Sequence, residues 1–222
     1  MPGIAENITS IKQKILSSVK LVAVSKTRPV SDILIAYNTG QRYFGENRVQ
    51  ELLNKKDLLP GDIEWHLIGH LQSNKVKSIV PFISMIQSVD SYKLLQTINS
   101  EAVKISRVVD CLLQIHIAKE DTKFGFSMNE LSELLESQEF LKMENVRLCG
   151  VMGMATFTSD TGQVRKEFGY LADCLKTLKN RYFSGNSSFK EISMGMSGDY
   201  EIAVKEGSTI VRIGSLIFGE RK

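Results

Sequence analysis

Cysteine is scarce in this chain, and so are the other residues that mark special architectures. Cys111, Cys149 and Cys174 stand far apart with no C-x-x-C spacing. That excludes a disulfide framework or a zinc knuckle, and suits core thiols in a reducing compartment. Four prolines and sixteen glycines in 222 residues are too few for a collagen-like or linker-rich chain. No run of about 18 uncharged apolar residues occurs, so no membrane-spanning helix is expected. The first residues lack the charged and apolar blocks of a secretion signal, which points to a cytoplasmic protein. Charge of one sign is also missing: 28 Lys and Arg face 25 Asp and Glu, leaving +3, and the basic residues are interspersed rather than gathered. No nucleic-acid footprint stands out.

What remains is ordinary globular composition, 42% apolar and 24% charged. The length suits a single domain over residues 1–222 with one core. A monomer is expected, because no second domain offers a dimer surface.

Periodicity supplies the organisation. Ile4, Ile8, Ile11, Ile15 and Val19 recur at helical spacing, and Leu21 to Val24 then read as a strand. Pro29 opens a helix carrying Ile33, Leu34 and Tyr37. The same βα unit recurs along the chain. Further strands are expected at Arg42–Phe44, Trp65–Gly69, Ser84–Val89, Cys111–Ile117, Val146–Met152, Phe189–Met194 and Thr209–Ile213. Between them, Leu94, Leu95, Ile98 and Ala102 form one helical face, and Val164, Phe168, Leu171, Leu175 and Leu178 another. Ser127 and Glu130 have capping-box spacing. Eight such units close a parallel sheet into an α/β fold, a (β/α)8 TIM-type barrel.

In such barrels the working residues sit at the C-terminal ends of the strands, with a phosphate site often built by the loops after the seventh and eighth. Here those loops are Gly195-Met196-Ser197-Gly198-Asp199 and Gly214-Ser215. Small residues let backbone N–H groups approach an anion, and the Ser197 hydroxyl adds a donor. Gly and Ser also cluster in ordinary turns, so composition alone leaves the point open.

Lys26 ends the first strand, where partial desolvation at a barrel mouth would leave a neutral amine able to attack an aldehyde; a solvated strand-end lysine is the other reading. Arg212, between Val211 and Ile213, turns inward by alternation and needs an acceptor. A pyridine nitrogen or a carboxylate would serve. Asn47 can donate to a phenolic oxygen or cap the next helix. His66 and His70 are spaced H-x-x-x-H, which on a strand gives a long interval rather than a helical chelate, and no third ligand lies nearby. No metal is expected. His116 reads as a satisfied strand histidine. The paired Met152-Gly153-Met154 and Met194-Gly195-Met196 read as coincidence.

Five strings occur in order over nearly the whole chain: Ala23-Val24-Ser25-Lys26-Thr27, Phe44-Gly45-Glu46-Asn47, Trp65 through Lys75, Ser193 through Ser197, and Gly207 through Gly214. Together they resemble the pyridoxal phosphate homeostasis protein family, itself similar to the barrel domain of alanine racemase. The resemblance implies pyridoxal phosphate held as an internal aldimine on Lys26, with Arg212 facing the pyridine nitrogen and Asn47 near the ring hydroxyl. Ser197, Gly198 and Gly214 would cradle the phosphate, and Met152 to Met154 would pack against the cofactor.

It further implies a carrier and regulator of the cofactor pool and of amino-acid and keto-acid balance, with apo-enzymes as recipients, rather than a catalyst. An amino-acid racemase is the alternative, although the second base that racemisation wants comes, in alanine racemase, from an additional domain for which this length leaves no room. A Schiff-base aldolase acting on a sugar phosphate is a second alternative.

Overall fold

The computed structural model describes residues 3–118 and 124–220. Eight parallel strands form a closed barrel in sequence order: β1 Lys20–Val24, β2 Tyr43–Glu46, β3 Glu64–Leu67, β4 Met85–Val89, β5 Val109–Gln114, β6 Val146–Met152, β7 Glu191–Ser193 and β8 Ile210–Ile213. The ring is completed by β1 pairing with β8, in a register that sets Val22 beside Arg212.

Helices fill the connections. They are α1 Ile4–Lys14, α2 Val30–Asn38, α3 Val49–Lys56, α4 Val76–Ile79, α5 Tyr92–Val103, α6 Met128–Glu136, α7 Gln138–Leu141, α8 Thr161–Tyr182, α9 Tyr200–Lys205 and α10 Ser215–Phe218. The Ser127–Glu130 capping box starts α6 as its spacing suggests, and Asp160 caps α8 through the amides of Gly162 and Gln163. Among the described residues, no helix is long and apolar enough to cross a membrane.

Strand alternation divides the core in two. Leu21, Ala23, Phe44, Trp65, Leu67 and Ile86 point outward and pack under the helices, in one cluster with Ile33, Leu52, Leu94 and Phe168. Val22, Met85, Leu112, Cys149, Met152 and Ile210 point into the barrel. Each fully buried aliphatic side chain contributes roughly 1.5–3 kcal/mol, which is why most strands are apolar on both faces. All three cysteines are free and buried.

Several element boundaries differ from the sequence expectation. α1 ends at Lys14, and Ile15 and Val19 pack beyond it. β5 stops at Gln114, and Ile115, whose amide still donates to the Met152 carbonyl at 2.8 Å, forms an isolated bridge with Phe126. β7 begins at Glu191, since Phe189 stacks on Phe183 at 4.0 Å rather than joining the strand. On α8 the buried stripe includes Cys174, while Leu175 is only partly covered.

Candidate functional site

The turn after β1 is built to present Lys26. The Ser25 amide continues the ladder by donating to the Gly45 carbonyl at 3.0 Å, and the Ser25 hydroxyl points outward to the Glu46 carboxylate at 2.6 Å. Lys26 follows in the turn, two residues past the end of β1. It is half-buried there. Thr27 follows in a left-handed conformation, φ 64°, with its amide held by the Glu51 carboxylate at 2.5 Å.

Behind this turn, Lys55 from α3 donates to the Ser25 carbonyl at 2.8 Å and to Glu46 and Glu51 at 2.8 and 2.6 Å. Burial pushes the Glu46 carboxyl above its ordinary range, against the pull of hydrogen bonds from Lys55 and Ser25. Its Oε2 is buried without a partner among the described residues.

The loops after β7 and β8 meet beside β1. Ser197 Oγ accepts from the amides of Gly214 and Leu216, at 3.3 and 3.5 Å. A side chain on Gly214 would begin 3.4 Å from the Val24 Cβ, so this turn lies against the strand that carries Lys26. Gly198 is open, with nothing within 4 Å of where its Cβ would sit. Asp199 ties the loop by accepting from the Met196 amide at 2.5 Å. The loop's sharp entry depends on Gly195, at φ 93°, where a Cβ would lie 2.6 Å from that of Ala203. The two turns bring backbone amides and one hydroxyl together, with the amides of Gly214 and Leu216 taken up by Ser197 Oγ in this structure.

Arg212 lies on the barrel floor, 4% exposed, one rung from Val22. Its guanidinium donates to Ser193 Oγ at 2.5 Å and to the Gly153 carbonyl at 3.0 Å, and its backbone amide donates to the Gly195 carbonyl at 2.9 Å. The middle residues of both Met-Gly-Met segments thus accept from Arg212. No carboxylate pairs with the guanidinium among the described residues, and its Nε has no partner there. Complete desolvation lowers the Arg212 pKa to about 10, opposed by the charge of Asp199, so the group stays cationic at neutral pH.

Asn47 comes directly after β2. The helix cap that sequence left open for it falls to Arg48, which makes no side-chain capping bond. Its neighbourhood is tight: a side chain on Gly69 would begin 2.5 Å from the Asn47 carbonyl oxygen.

The two histidines of the H-x-x-x-H pair take separate partners, His66 with Gln87 and His70 with Asp90, each at 2.7 Å. His116 is not in a strand; it lies beyond β5, half-buried, and its amide donates to the Phe126 carbonyl at 3.1 Å. Sequence reasoning weighed His66 only as a metal ligand and assigned no role to Gln87 or Ser193. The one signal was local: polar Gln87 at an inward position of an otherwise buried strand.

The family model described as alanine racemase, N-terminal domain, matches residues 2–222. The pyridoxal phosphate homeostasis protein of Aquifex aeolicus is 41% identical over 204 residues, covering 91% of this chain and 87% of that one. The protein of the same name from Synechocystis is 39% identical, over 92% of both chains. Among solved structures, PipY of Synechococcus elongatus with pyridoxal phosphate bound superposes with a TM-score of 0.89 at 35% identity, covering 97% of this chain and all of that one. The sequence strings, the closed barrel and these relatives agree: the chain belongs to the alanine racemase N-terminal domain family, among its pyridoxal phosphate homeostasis proteins.

Proposed function

We propose that this protein binds pyridoxal phosphate through an imine to Lys26 and serves as a carrier that helps to keep the cofactor pool in balance, with effects on amino and keto acids. The observation that carries the reading is Arg212, a buried guanidinium whose Nε has no partner among the described residues, paired with Val22 on the strand that leads into the Lys26 turn. A pyridine nitrogen lacking a proton is the acceptor that such a donor fits.

Each remaining residue has a role consistent with its place. The amides of Gly198, Gly214 and Leu216 and the Ser197 hydroxyl suit a phosphate, while the Asn47 amide suits the ring's phenolic oxygen. Met152 and Met154 belong to or pack against the inner apolar cluster, and supply a wall for a flat ring.

Pyridoxal phosphate acts as an electron sink for bound amino acids, most strongly when its ring nitrogen is protonated. Arg212 opposes that protonation, because two positive groups would meet in a buried place. The chain's own chemistry therefore favours holding the cofactor over turning it over, and apo-enzymes that need it are the natural recipients.

The untreated protein should carry a visible band that survives dialysis and is missing in Lys26→Ala. Borohydride should leave a pyridoxyl mass tag on Lys26. A colourless protein that borohydride labels only in the presence of a sugar phosphate would replace this reading with an aldolase, and no tag at Lys26 would end it.

A further inference from the structure

Four side chains from four strands cross the barrel floor as one chain of hydrogen bonds. Arg212 of β8 contacts Ser193 Oγ at 2.5 Å, Ser193 of β7 contacts Gln87 Oε1 at 2.6 Å, and Gln87 Nε2 of β4 contacts His66 Nδ1 of β3 at 2.7 Å. All four residues are at most 4% exposed, so water does not compete for these groups.

Proton bookkeeping fixes the direction of every bond. A guanidinium only donates, so Ser193 Oγ accepts from it and must send its own proton onward. Among the described residues, the group that receives it is the Gln87 carbonyl, which turns the amide nitrogen toward His66. An amide nitrogen only donates, so His66 Nδ1 is bare and the ring is neutral. Flipping Gln87 would aim its Nε2 at Ser193 Oγ and its Oε1 at a protonated His66 Nδ1, so that Ser193 Oγ would accept twice and lose the acceptor for its own proton. A buried hydroxyl proton without an acceptor is the cost that the observed orientation avoids.

We propose that Gln87, anchored by His66, is a positioning residue for the cofactor: through Ser193 it fixes the rotation of the Arg212 guanidinium so that Nε addresses the ring nitrogen. This rests on the proposed binding of pyridoxal phosphate. The bond from Arg212 to the Gly153 carbonyl restrains one end of the planar guanidinium, and Ser193 restrains the other. A hydroxyl alone can rotate to suit many partners, whereas one held by a carbonyl oxygen cannot. The anchor at His66 stops Gln87 from turning in its place.

The test uses the full chain loaded with pyridoxal phosphate. Gln87→Met keeps length and removes both hydrogen-bonding ends. The expected result is a shifted visible band and cofactor loss on dialysis about five-fold faster, with the Lys26 borohydride tag retained. Ser193→Ala should reproduce this, the double variant should add little, and Ser193→Thr should restore the wild-type band. A merely structural role would lower the melting temperature and leave the band in place. Folded Gln87→Met with a wild-type band and wild-type release overturns the proposal.

Should Gln87→Met fail to fold, the two Ser193 variants and imidazole 15N shifts of the cofactor-free wild-type protein decide the matter. An Nδ1 proton on His66, or unchanged behaviour in Ser193→Ala, refutes the chain. A wild-type protein that never takes up pyridoxal phosphate refutes the function instead, and the 15N result still reports on the chain by itself.

Discussion

The Lys55 ammonium lies 2.8 Å from the Glu46 carboxylate in the layer between barrel and helices, with both side chains at most 8% exposed. Since Glu46 also accepts from Ser25, this pair stands behind the turn that carries Lys26. Removing the cation strands a buried carboxylate, which in such sites costs roughly 3–5 kcal/mol. Lys55→Met should lower the urea-unfolding free energy by about that amount at neutral pH.

The pH dependence of that variant has a definite sign. Burial already raises the Glu46 pKa, and loss of Lys55 raises it further, so the folded state gains a proton that the unfolded state lacks above the ordinary value of 4.5. Stability from this group is retained at low pH and lost as pH rises through the folded value. The deficit of Lys55→Met should therefore shrink between pH 7 and pH 5, and Glu46→Gln in the same background should restore much of it. A deficit independent of pH would show that Glu46 is not the group left stranded.

Gly195→Ala should be among the most damaging single-methyl changes in the chain. The residue sits at φ 93°, and the new Cβ would lie 2.6 Å from the Ala203 Cβ and 3.0 Å from the Tyr200 Cα. Backbone strain and overpacking each cost about 1–3 kcal/mol. Denaturation should report a loss of roughly 3 kcal/mol, and Gly198→Ala, whose Cβ would meet open space, should be far milder.

Ser197→Ala isolates one phosphate donor. The hydroxyl sits against the amides of Gly214 and Leu216, and those backbone donors survive the change. Cofactor loss on dialysis should quicken about five-fold while borohydride still labels Lys26. Unchanged retention would remove Ser197 from the site.

How much of this was readable beforehand follows from the range of the interactions. The barrel was legible because strands buried on both faces and helices with one apolar stripe leave different periodicities, as Leu21 to Val24 and Val164 to Leu178 show. Arg212 was legible as inward-facing because its neighbours Val211 and Ile213 pack outward. Its partners were not. Ser193 and Gln87 are 106 residues apart and His66 and Gln87 are 21, and no local pattern says which polar residue meets which across a closed sheet. Strand ends failed for a related reason: Phe189 and Ile115 are apolar enough to extend their strands, but tertiary partners, Phe183 and Phe126, claim them.

His66 gives the last prediction. Complete desolvation, with the Lys20 charge adding to it, lowers the His66 pKa from 6.5 to about 3. The unfolded chain takes up a proton on this ring near pH 6.5, whereas the folded chain refuses it until about pH 3. Stability from the neutral ring is thus complete above the unfolded value and drains away as pH falls through the interval, by an amount on the order of 5 kcal/mol in all. His66→Asn keeps an acceptor near the position of Nδ1 and removes the titration. Between pH 6 and pH 4 the wild-type unfolding free energy should fall more steeply than that of His66→Asn by about 1.4 kcal/mol per pH unit, the slope of one proton. Parallel profiles would mean that the folded protein accepts a proton on His66 as readily as the unfolded chain does, which the Gln87 amide pointing at Nδ1 forbids.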